Sequence, residues 1–374
     1  MRTVKWNSFL PCLLALGVMT ASARADVTVE EGASIVIFPK LIVDGDFDTI
    51  VQITNISNDL VYARCFYVNA QLTIPEIPEH PILNPPLWLE TDFNIRLTRQ
   101  QPTHWLVSEG RPVDPFDQCN GLPPSTCVMD INVWGLGIDP GAIPPVVDNF
   151  VGELKCIEVD ASGTPIGGNH LKGEATIISP DGDVSKYKAV GIKGTELAGQ
   201  TGDNLQLDNT PDHPGQYDAC PEELLLNHFA EGDDSEFHPD LIPGDNVTTE
   251  LTFVPCTQDF ENQRPATVTL QFKIYNEFEV PFSTSTSVNC WKNINLEDIG
   301  NTNVFNVEVL GSTVAFTIIT PADETDGGVV AVAEEFHSEE TTTARAAFNV
   351  HTRGDRLFGE EGTEFDRITL PGVQ

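Results

Sequence analysis

A period of two in the order of apolar and polar residues is the dominant pattern along this chain. The clearest case covers residues 267–278, and its apolar members are Val268, Leu270, Phe272, Ile274 and Phe278. Successive side chains of a strand point to opposite faces of the sheet. The segment is therefore predicted to be a long strand with one buried face.

Shorter runs in the C-terminal half show the same period. Residues 305–309 and 314–318 alternate on either side of Gly311 and Ser312, which predicts a β-hairpin. Ala346, Phe348 and Val350 predict a late strand. Residues 221–226 fit either a short helix that begins at Pro221 or a strand.

The N-terminal half is also predicted to be β-structure. Residues 34–38 and 41–43 flank Pro39, which predicts an edge strand broken by proline. Residues 49–54 and 60–68 predict two strands joined by a polar turn. In the segment 92–98, Phe93, Ile95 and Leu97 share one face.

Strands without intervening long helices indicate antiparallel sheets packed as sandwiches. The sequence predicts an all-β fold of two antiparallel β-sandwich domains, at 26–165 and 246–374. Between them, 166–245 is predicted to be a loop-rich connection with few strands, around Glu174 to Ile178. One larger sandwich formed by both halves is the alternative.

The N-terminal strands resemble a known kind of module. The residues concerned are the run 35–39, the Asp-Thr strand at 46–55, which ends in Asn55, and the return strand at 61–68. This succession resembles the opening strands of immunoglobulin-like modules in bacterial exported proteins. The resemblance implies an immunoglobulin-like sandwich and a scaffold role, and it carries no functional residues.

The first 25 residues have the composition of an export signal. Arg2 and Lys5 precede an apolar run at 9–19, and cleavage is predicted near Ala23 or Ala25. The apolar run is too short to span a bilayer, and no later segment is long and apolar enough to do so. The mature chain is predicted to begin near residue 26 and to be secreted, periplasmic or at the cell surface.

Charge narrows the choice of partners. The chain has 56 acidic and 20 basic residues, a formal net charge of -36. This charge effectively excludes nucleic acid as a partner, because phosphate binding needs clustered lysine and arginine. Anionic membrane surfaces are disfavoured for the same reason. The excess of acidic residues is best explained as a means of keeping the protein soluble, and cation binding is the alternative, functional explanation.

Seven cysteines follow the signal, and an exported protein is expected to form disulfides. Cys119 and Cys127 are predicted to close a small loop. Cys65 with Cys156, and Cys256 with Cys290, are predicted to join one sheet to another. The odd count leaves one thiol over, and Cys220 is predicted to be the unpaired cysteine.

Motifs for catalysis are scarce. The sequence has no G-x-S-x-G, no H-E-x-x-H, no P-loop and no dinucleotide-binding fingerprint. Asp44, Asp46 and Asp48 have the D-x-D-x-D spacing that calcium can use. The EF-hand pattern then fails, because Thr49 and Asn55 stand where glycine and glutamate are expected. Calcium at these aspartates is therefore a speculative assignment, and no other cofactor is predicted.

These observations favour a secreted or envelope-associated structural or interaction protein without catalytic activity. Its partner is expected to be a protein or a surface glycan, and the sequence leaves the ligand and the oligomeric state open. An exported carbohydrate-active hydrolase with a carboxylate pair is one alternative. It would need two carboxylates about 5–10 Å apart in a cleft, one with a raised pKa. A calcium-rigidified adhesin is the other.

Overall fold

The computed structural model describes most of the chain after the export signal. The described residues are 27–74, 83–111, 140–200, 202–208, 215–221, 223–233, 246–300, 303–323, 327–339, 342–352 and 366–372. The predicted signal and its cleavage positions, Ala23 and Ala25, lie outside them, as do Cys119 and Cys127. None of the helices formed by the described residues has the length and apolarity needed to cross a membrane.

Two sheets form the N-terminal half. Sheet I contains β1 (Ile35–Val43), β3 (Val61–Asn69), β4 (Leu89–Leu97), β6 (Phe150–Val159) and β9 (Val190–Ile192). Sheet II contains β2 (Asp48–Asn55), β5 (Pro102–Leu106), β7 (Leu171–Ile178) and β8 (Val184–Lys188). Their spatial orders are β4-β3-β6-β1-β9 and β5-β2-β7-β8, with antiparallel neighbours throughout.

Sheets I and II share the first hydrophobic core. Sheet I contributes residues such as Phe38 and Tyr67, and sheet II contributes Ile53 and Trp105. The indole Nε1 of Trp105 donates a hydrogen bond of 2.6 Å to the Tyr67 hydroxyl, so both polar tips are satisfied inside this core. The two sheets therefore pack face to face, as in a β-sandwich.

Two further sheets form most of the C-terminal half. Sheet III contains β11 (Leu224–Phe229), β15 (Thr267–Asn276), β16 (Pro281–Asn289), β18 (Val314–Pro321) and β21 (His351–Thr352). Sheet IV contains β12 (Gly232–Asp233), β13 (Asn246–Pro255), β17 (Lys292–Asn295), β19 (Val329–Glu339) and β20 (Thr342–Asn349). Their orders are β16-β15-β18-β11-β21 and β12-β13-β19-β20, with β17 paired to β13. They enclose a second core that includes Leu226, Phe253 and Phe272.

A third core joins the two halves. It combines Phe66 and Ile157 of sheet I with Val254 and Phe260 from the C-terminal half. Sheet V closes this region with β10 (Asn204–Gln206), β14 (Gln258–Asp259) and β22 (Arg367–Thr369). Its order is β10-β22-β14, and β14 runs parallel to β22.

The all-β, mainly antiparallel prediction is confirmed, but the chain does not form two separate immunoglobulin-like sandwiches. The number of sheets, five, suggests an arrangement like a five-bladed β-propeller. The strands of a propeller blade, however, normally follow one another along the chain, and these do not. Sheet IV explains why the two halves are not separate domains. Its Leu251 faces the second core, whereas Val254 faces the third, so this sheet is buried on both faces.

The prediction of an edge strand at Pro39 is wrong. Strand β1 is continuous and lies between β6 and β9. Its register with β6 shifts between Phe38 and Leu41, and β9 pairs only with residues 35–37. Pro39 thus lies at a bulge beyond the end of β9, where a missing backbone N–H removes no ladder hydrogen bond.

The prediction of a hairpin over 305–318 is also wrong in its first strand. Residues Val307–Leu310 form a short helix, α1, and a 3-10 turn covers Leu296–Asp298. The Asn306 side chain caps α1 by accepting a hydrogen bond of 2.9 Å from the Glu308 backbone N–H. Gly311 ends the helix in the left-handed region at φ 63°. Local capping has overridden a short alternating pattern.

The segment predicted as a connection, 166–245, supplies strands to both halves. Strands β7 and β8 belong to sheet II, β9 belongs to sheet I, and β11 lies inside sheet III. Residues 224–229 therefore adopt the strand alternative and not the helix. The strand at 267–276 matches its pattern, but Phe278 is 64% exposed because the chain turns after Asn276.

Candidate functional site

The outer face of sheet III presents a row of aromatic side chains. Residues such as Leu226, Phe272 and Ile319 point into the second core, so their neighbours in sequence point outward. Phe316 of β18 lies opposite Tyr275 of β15 on one side and opposite Asn227 of β11 on the other. Directly opposed residues of antiparallel strands have Cβ atoms within about 5.5 Å, so these groups form one surface.

A pocket of about 350 Å³, here called the outer pocket, lies at this row. Its walls are mainly apolar and include the aromatic rings of Phe229, Tyr275 and Phe316. Two carboxylates, Glu277 and Glu335, also line it. No lysine or arginine is among its lining residues within the described part of the chain, so its surface suits a positive or neutral group and disfavours an anion.

His228 also lines the outer pocket, although its side chain is buried. Its Nδ1 lies 2.8 Å from the backbone oxygen of Phe229, and its Nε2 lies 2.9 Å from the Thr317 hydroxyl. A carbonyl only accepts, so Nδ1 carries the proton and Nε2 accepts from Thr317. Burial lowers the pKa of His228 to about 4. The hydrogen bond to the Phe229 carbonyl favours the charged form, but its effect is smaller than that of burial.

This buried imidazole predicts a loss of stability in mild acid. The pKa of His228 is lower in the folded chain than in the unfolded chain, so its contribution is complete above about pH 6.5 and is lost as pH falls towards 4. The loss should reach about 3 kcal/mol. In urea unfolding between pH 4 and 7, His228→Gln should show a flatter pH dependence than the native chain.

His351 provides the control for that measurement, because it is exposed. His351→Gln should retain the native pH dependence. Identical profiles for the native chain and His228→Gln would contradict the assignment of a neutral, buried imidazole at His228.

The end of the outer pocket is acidic. Glu335 Oε1 lies 2.7 Å from His337 Nε2, and the His337 ring packs edge-on against Phe229 with ring centres 6.0 Å apart. Behind them Glu231 is fully buried, and its Oε1 accepts a hydrogen bond of 2.9 Å from the Thr249 N–H. Burial raises the pKa of Glu231 to about 8, and Glu297 and Glu335 add to the effect. Glu231 does not line the pocket, so its carboxyl group with a raised pKa is separated from the cleft.

A second polar cluster, the Lys40 cluster, lies between the two halves. The Lys40 ammonium is 1% exposed and lies 2.7 Å from Glu250 and 2.8 Å from Glu334. These two glutamates are directly opposite each other on β13 and β19. Burial disfavours the charged form of Glu250, but Lys40 outweighs it with hydrogen-bonding help from Asn293, and the pKa of Glu250 is lowered.

The rest of the Lys40 cluster comes from both halves. The Ser185 hydroxyl donates a bond of 2.5 Å to Glu334, and an Arg345 nitrogen lies 3.6 Å from the same carboxylate. The Arg345 guanidinium also stacks over the ring of Phe47, 5.2 Å from its centre. Charge from sheet I is therefore neutralised by sheet IV, which couples the positions of the two halves.

A third polar cluster, the Lys155 cluster, lies within the third core. Lys155 and Glu153 of β6 have side chains that are 0% exposed, and Gln258 of β14 is 1% exposed. The Lys155 ammonium nitrogen contacts the Gln258 side-chain oxygen, and the Gln258 amide donates to Glu153. Phe260 lies beside the lysine, with its ring centre 5.8 Å from Nζ.

The aspartates predicted for calcium are not assembled into a ligand set. Asp44 closes a turn through backbone hydrogen bonds with Phe47. Asp48 accepts bonds from the Thr49 N–H and from the Ser108 hydroxyl, at 2.7 and 2.5 Å. Neither these residues, Asp46 included, nor any others among the described residues form a group of three or more histidine, cysteine or acidic side chains that could hold a metal.

The cysteines differ from the prediction in three respects, one of which is that the predicted Cys256–Cys290 bond does not form. Cys65 bonds to Cys156 as expected, but the two are directly opposed on adjacent strands of sheet I, so the bond joins strands and not sheets. Cys220 is not the unpaired residue: it bonds to Cys256, with Cα atoms 6.1 Å apart. Cys290 is buried and takes part in neither of these two disulfides. Spacing along the sequence could not reveal which strands become neighbours.

Sequence reasoning did not identify Phe229, Tyr275, Phe316, Lys40 or Lys155. A lysine inside an otherwise apolar strand, as at Lys40, was the available signal for one buried cluster, and the run of charged residues between apolar ones in β6 was the signal for the other. The aromatic row had no comparable signal, because its members come from three strands that only the fold brings together.

Comparisons with known proteins add little to this description. No protein-family model matches the sequence, and no curated protein does. A solved structure, titled Crystal Structure of Thermotoga maritima 1070, aligns with 36% of this chain and 97% of its own at 7% identity, with a TM-score of 0.25. A likeness this weak carries no inference about fold or function.

Proposed function

We propose that this protein is an exported, non-catalytic interaction protein, and that its outer pocket binds a partner through a positively charged organic group. The observation that carries the proposal is the combination of three aromatic rings with two carboxylates in one pocket. Aromatic faces attract cations through their quadrupole, and desolvation strengthens the attraction. Glu277 and Glu335 supply the complementary charge.

The charge of the whole chain supports the same choice. A net charge of -36 raises the local concentration of cations at its surface and repels anions, including nucleic acid. Among the described residues, the lining includes no lysine or arginine for a phosphate or a carboxylate. A cationic partner is therefore the class that both the pocket and the whole molecule favour.

Two features support export and a scaffold role. The disulfides Cys65–Cys156 and Cys220–Cys256 fit an extracellular or periplasmic protein, because such bonds persist in oxidising compartments. The sheet pairs I/II and III/IV, joined by a third core, would act as two fused sandwich units that hold the pocket rigid. In this proposal the immunoglobulin-like resemblance describes the scaffold and not the binding residues.

The two alternative functions have less support. At the outer pocket, a glycosidase-type pair would need its proton-donating carboxyl in the cleft, whereas Glu231 is buried outside the pocket lining and bonded to Thr249. A calcium-rigidified adhesin would use Asp44, Asp46 and Asp48. Within the described part of the chain, the Asp48 carboxylate contacts Thr49 and Ser108, and the three aspartates do not form a shared ligand group.

The binding proposal can be tested with a charged probe and its neutral isostere. Choline should bind with a measurable heat in titration calorimetry, and 3,3-dimethylbutan-1-ol, which has the same shape without the charge, should bind at least about tenfold more weakly. Phe316→Ala and Glu335→Gln should each weaken choline binding by a similar factor.

Ile318→Ala is the matched control, because Ile318 lies on the same outer face of β18 but does not line the outer pocket. It should leave choline binding unchanged. Equal binding of choline and its neutral isostere would overturn the cationic partner, and binding that survives Phe316→Ala would overturn the location.

A further inference from the structure

The Lys155 cluster places an amine, a carboxamide and a carboxyl group in mutual contact inside the molecule. Lys155 Nζ contacts the Oε1 of Gln258, and Gln258 Nε2 contacts the Oε1 of Glu153. The second oxygen of Glu153 lies 3.9 Å from Nζ and has no hydrogen-bond partner among the described residues. All three side chains are buried, so the group is shielded from bulk solvent.

The surroundings of this cluster are mostly apolar and aromatic, although Asp366 and Cys290 lie near enough to favour the charged form of Lys155. The ring of Phe260 lies beside the lysine and is stacked on Phe66, with ring centres 4.4 Å apart. The ring of Trp88 also stacks with Phe260, at 5.9 Å between centres. In such an environment both charged forms are disfavoured. Burial lowers the pKa of Lys155 and raises the pKa of Glu153, which favours a neutral amine beside a neutral carboxylic acid.

A neutral amine is a nucleophile, and a carboxamide within contact distance is an acyl donor. We propose that Lys155 and Gln258 are a self-modification site, at which their side chains condense into an isopeptide bond with Glu153 as the proton-transfer group. This modification is independent of the outer pocket and goes beyond the proposed function.

The reaction balances without any further reagent. The Nζ lone pair of Lys155 attacks Cδ of Gln258, and the carbonyl electron pair moves onto Oε1. Glu153 takes a proton from Nζ and delivers one to Nε2, so that the Cδ–Nε2 bond breaks when the carbonyl re-forms. The products are an Nζ–Cδ amide and one molecule of ammonia. Nothing is oxidised or reduced.

The position of the bond gives it a structural consequence. Lys155 lies on β6 of sheet I, and Gln258 lies on β14 of sheet V, 103 residues later in the chain. An amide between them would cross-link the N-terminal and C-terminal halves through the third core. It would also remove the buried amine, whose desolvation otherwise opposes folding.

The test is the intact mass of the purified, fully reduced mature chain, with its N-terminus sequenced. Condensation should lower the mass by about 17 Da, the loss of one ammonia, relative to the sequence. Tandem mass spectrometry of a tryptic digest should find a branched peptide that joins Lys155 to Gln258. A mass equal to that of the unmodified sequence would overturn the proposal, whatever the variants show.

Two kinds of variant assign the roles. Glu153→Gln and Lys155→Met should each restore the unmodified mass, whereas Lys186→Met, at an exposed lysine, should retain the loss. If Glu153→Gln and Lys155→Met do not fold, the mass of the native chain and its branched peptide still test whether the bond forms. A loss of ammonia that maps to other residues would also overturn the assignment.

Discussion

Lys40→Met is expected to lower the free energy of unfolding by about 3–5 kcal/mol, because it removes the nearest counter-charge of the buried Glu334 and the partly buried Glu250, and leaves only the more distant Arg345. Glu250 and Glu334 are directly opposed on β13 and β19, and the Lys40 ammonium lies between them at 2.7 and 2.8 Å. Like charges directly opposite each other destabilise a strand pair. Methionine fills a similar volume but cannot neutralise either group. Equilibrium unfolding in urea at pH 7 measures the effect.

The pH dependence of Lys40→Met separates lost charge from lost packing. Protonation of the carboxylates should remove their repulsion, so the difference from the native chain should shrink as pH falls towards 4.5. Lys186→Met is the control, since Lys186 and Glu174 form an exposed pair whose loss should cost under about 1 kcal/mol. A destabilisation by Lys40→Met that stays constant between pH 7 and 4.5 would contradict the electrostatic account.

Removal of the Cys65–Cys156 disulfide by a double change to alanine should cost about 3–5 kcal/mol. The bond closes a long loop, since the two cysteines are 91 residues apart in sequence. Without it the unfolded chain gains conformational freedom, while the folded strands β3 and β6 remain paired. The midpoint of urea unfolding should therefore fall for the variant.

Cys290→Ala is the matched control for a buried cysteine outside the two disulfides, and it should cost about 1 kcal/mol. A reducing agent should destabilise the native chain, and the double variant should lose only what reduction of Cys220–Cys256 costs. A double variant that is as stable as the native chain would show that the denatured state is already compact.

The strands with long alternating patterns were predictable from the sequence. Residues 267–276 form β15 with Val268, Leu270, Phe272 and Ile274 buried, as the period of two requires. Such a pattern is reliable because every second side chain must reach the same core. The short run at 305–309 was misleading, because Asn306 and Gly311 cap a helix there and local capping decides over so few residues.

The candidate site was much less predictable. Phe229, Tyr275 and Phe316 are separated by tens of residues and become neighbours only through the order β11-β18-β15. Gln258 could not be linked to Lys155, because its strand belongs to a sheet of three short strands without a clear periodic pattern. The prediction that Cys220 is unpaired was wrong because spacing along the sequence does not show that Cys220 and Cys256 lie side by side.

The sequence by itself determined the class of this protein: its alternation and scarcity of helical patterns require antiparallel strands, and its acidity disfavours anionic partners. Alternation reports which face of a strand is buried, but not what covers that face. Tertiary structure alone decided that sheet IV is covered on both sides, that Lys40 lies between Glu250 and Glu334, and that Lys155 meets Gln258. These contacts depend on the packing of sheets far apart in the chain, which local periodicity does not encode.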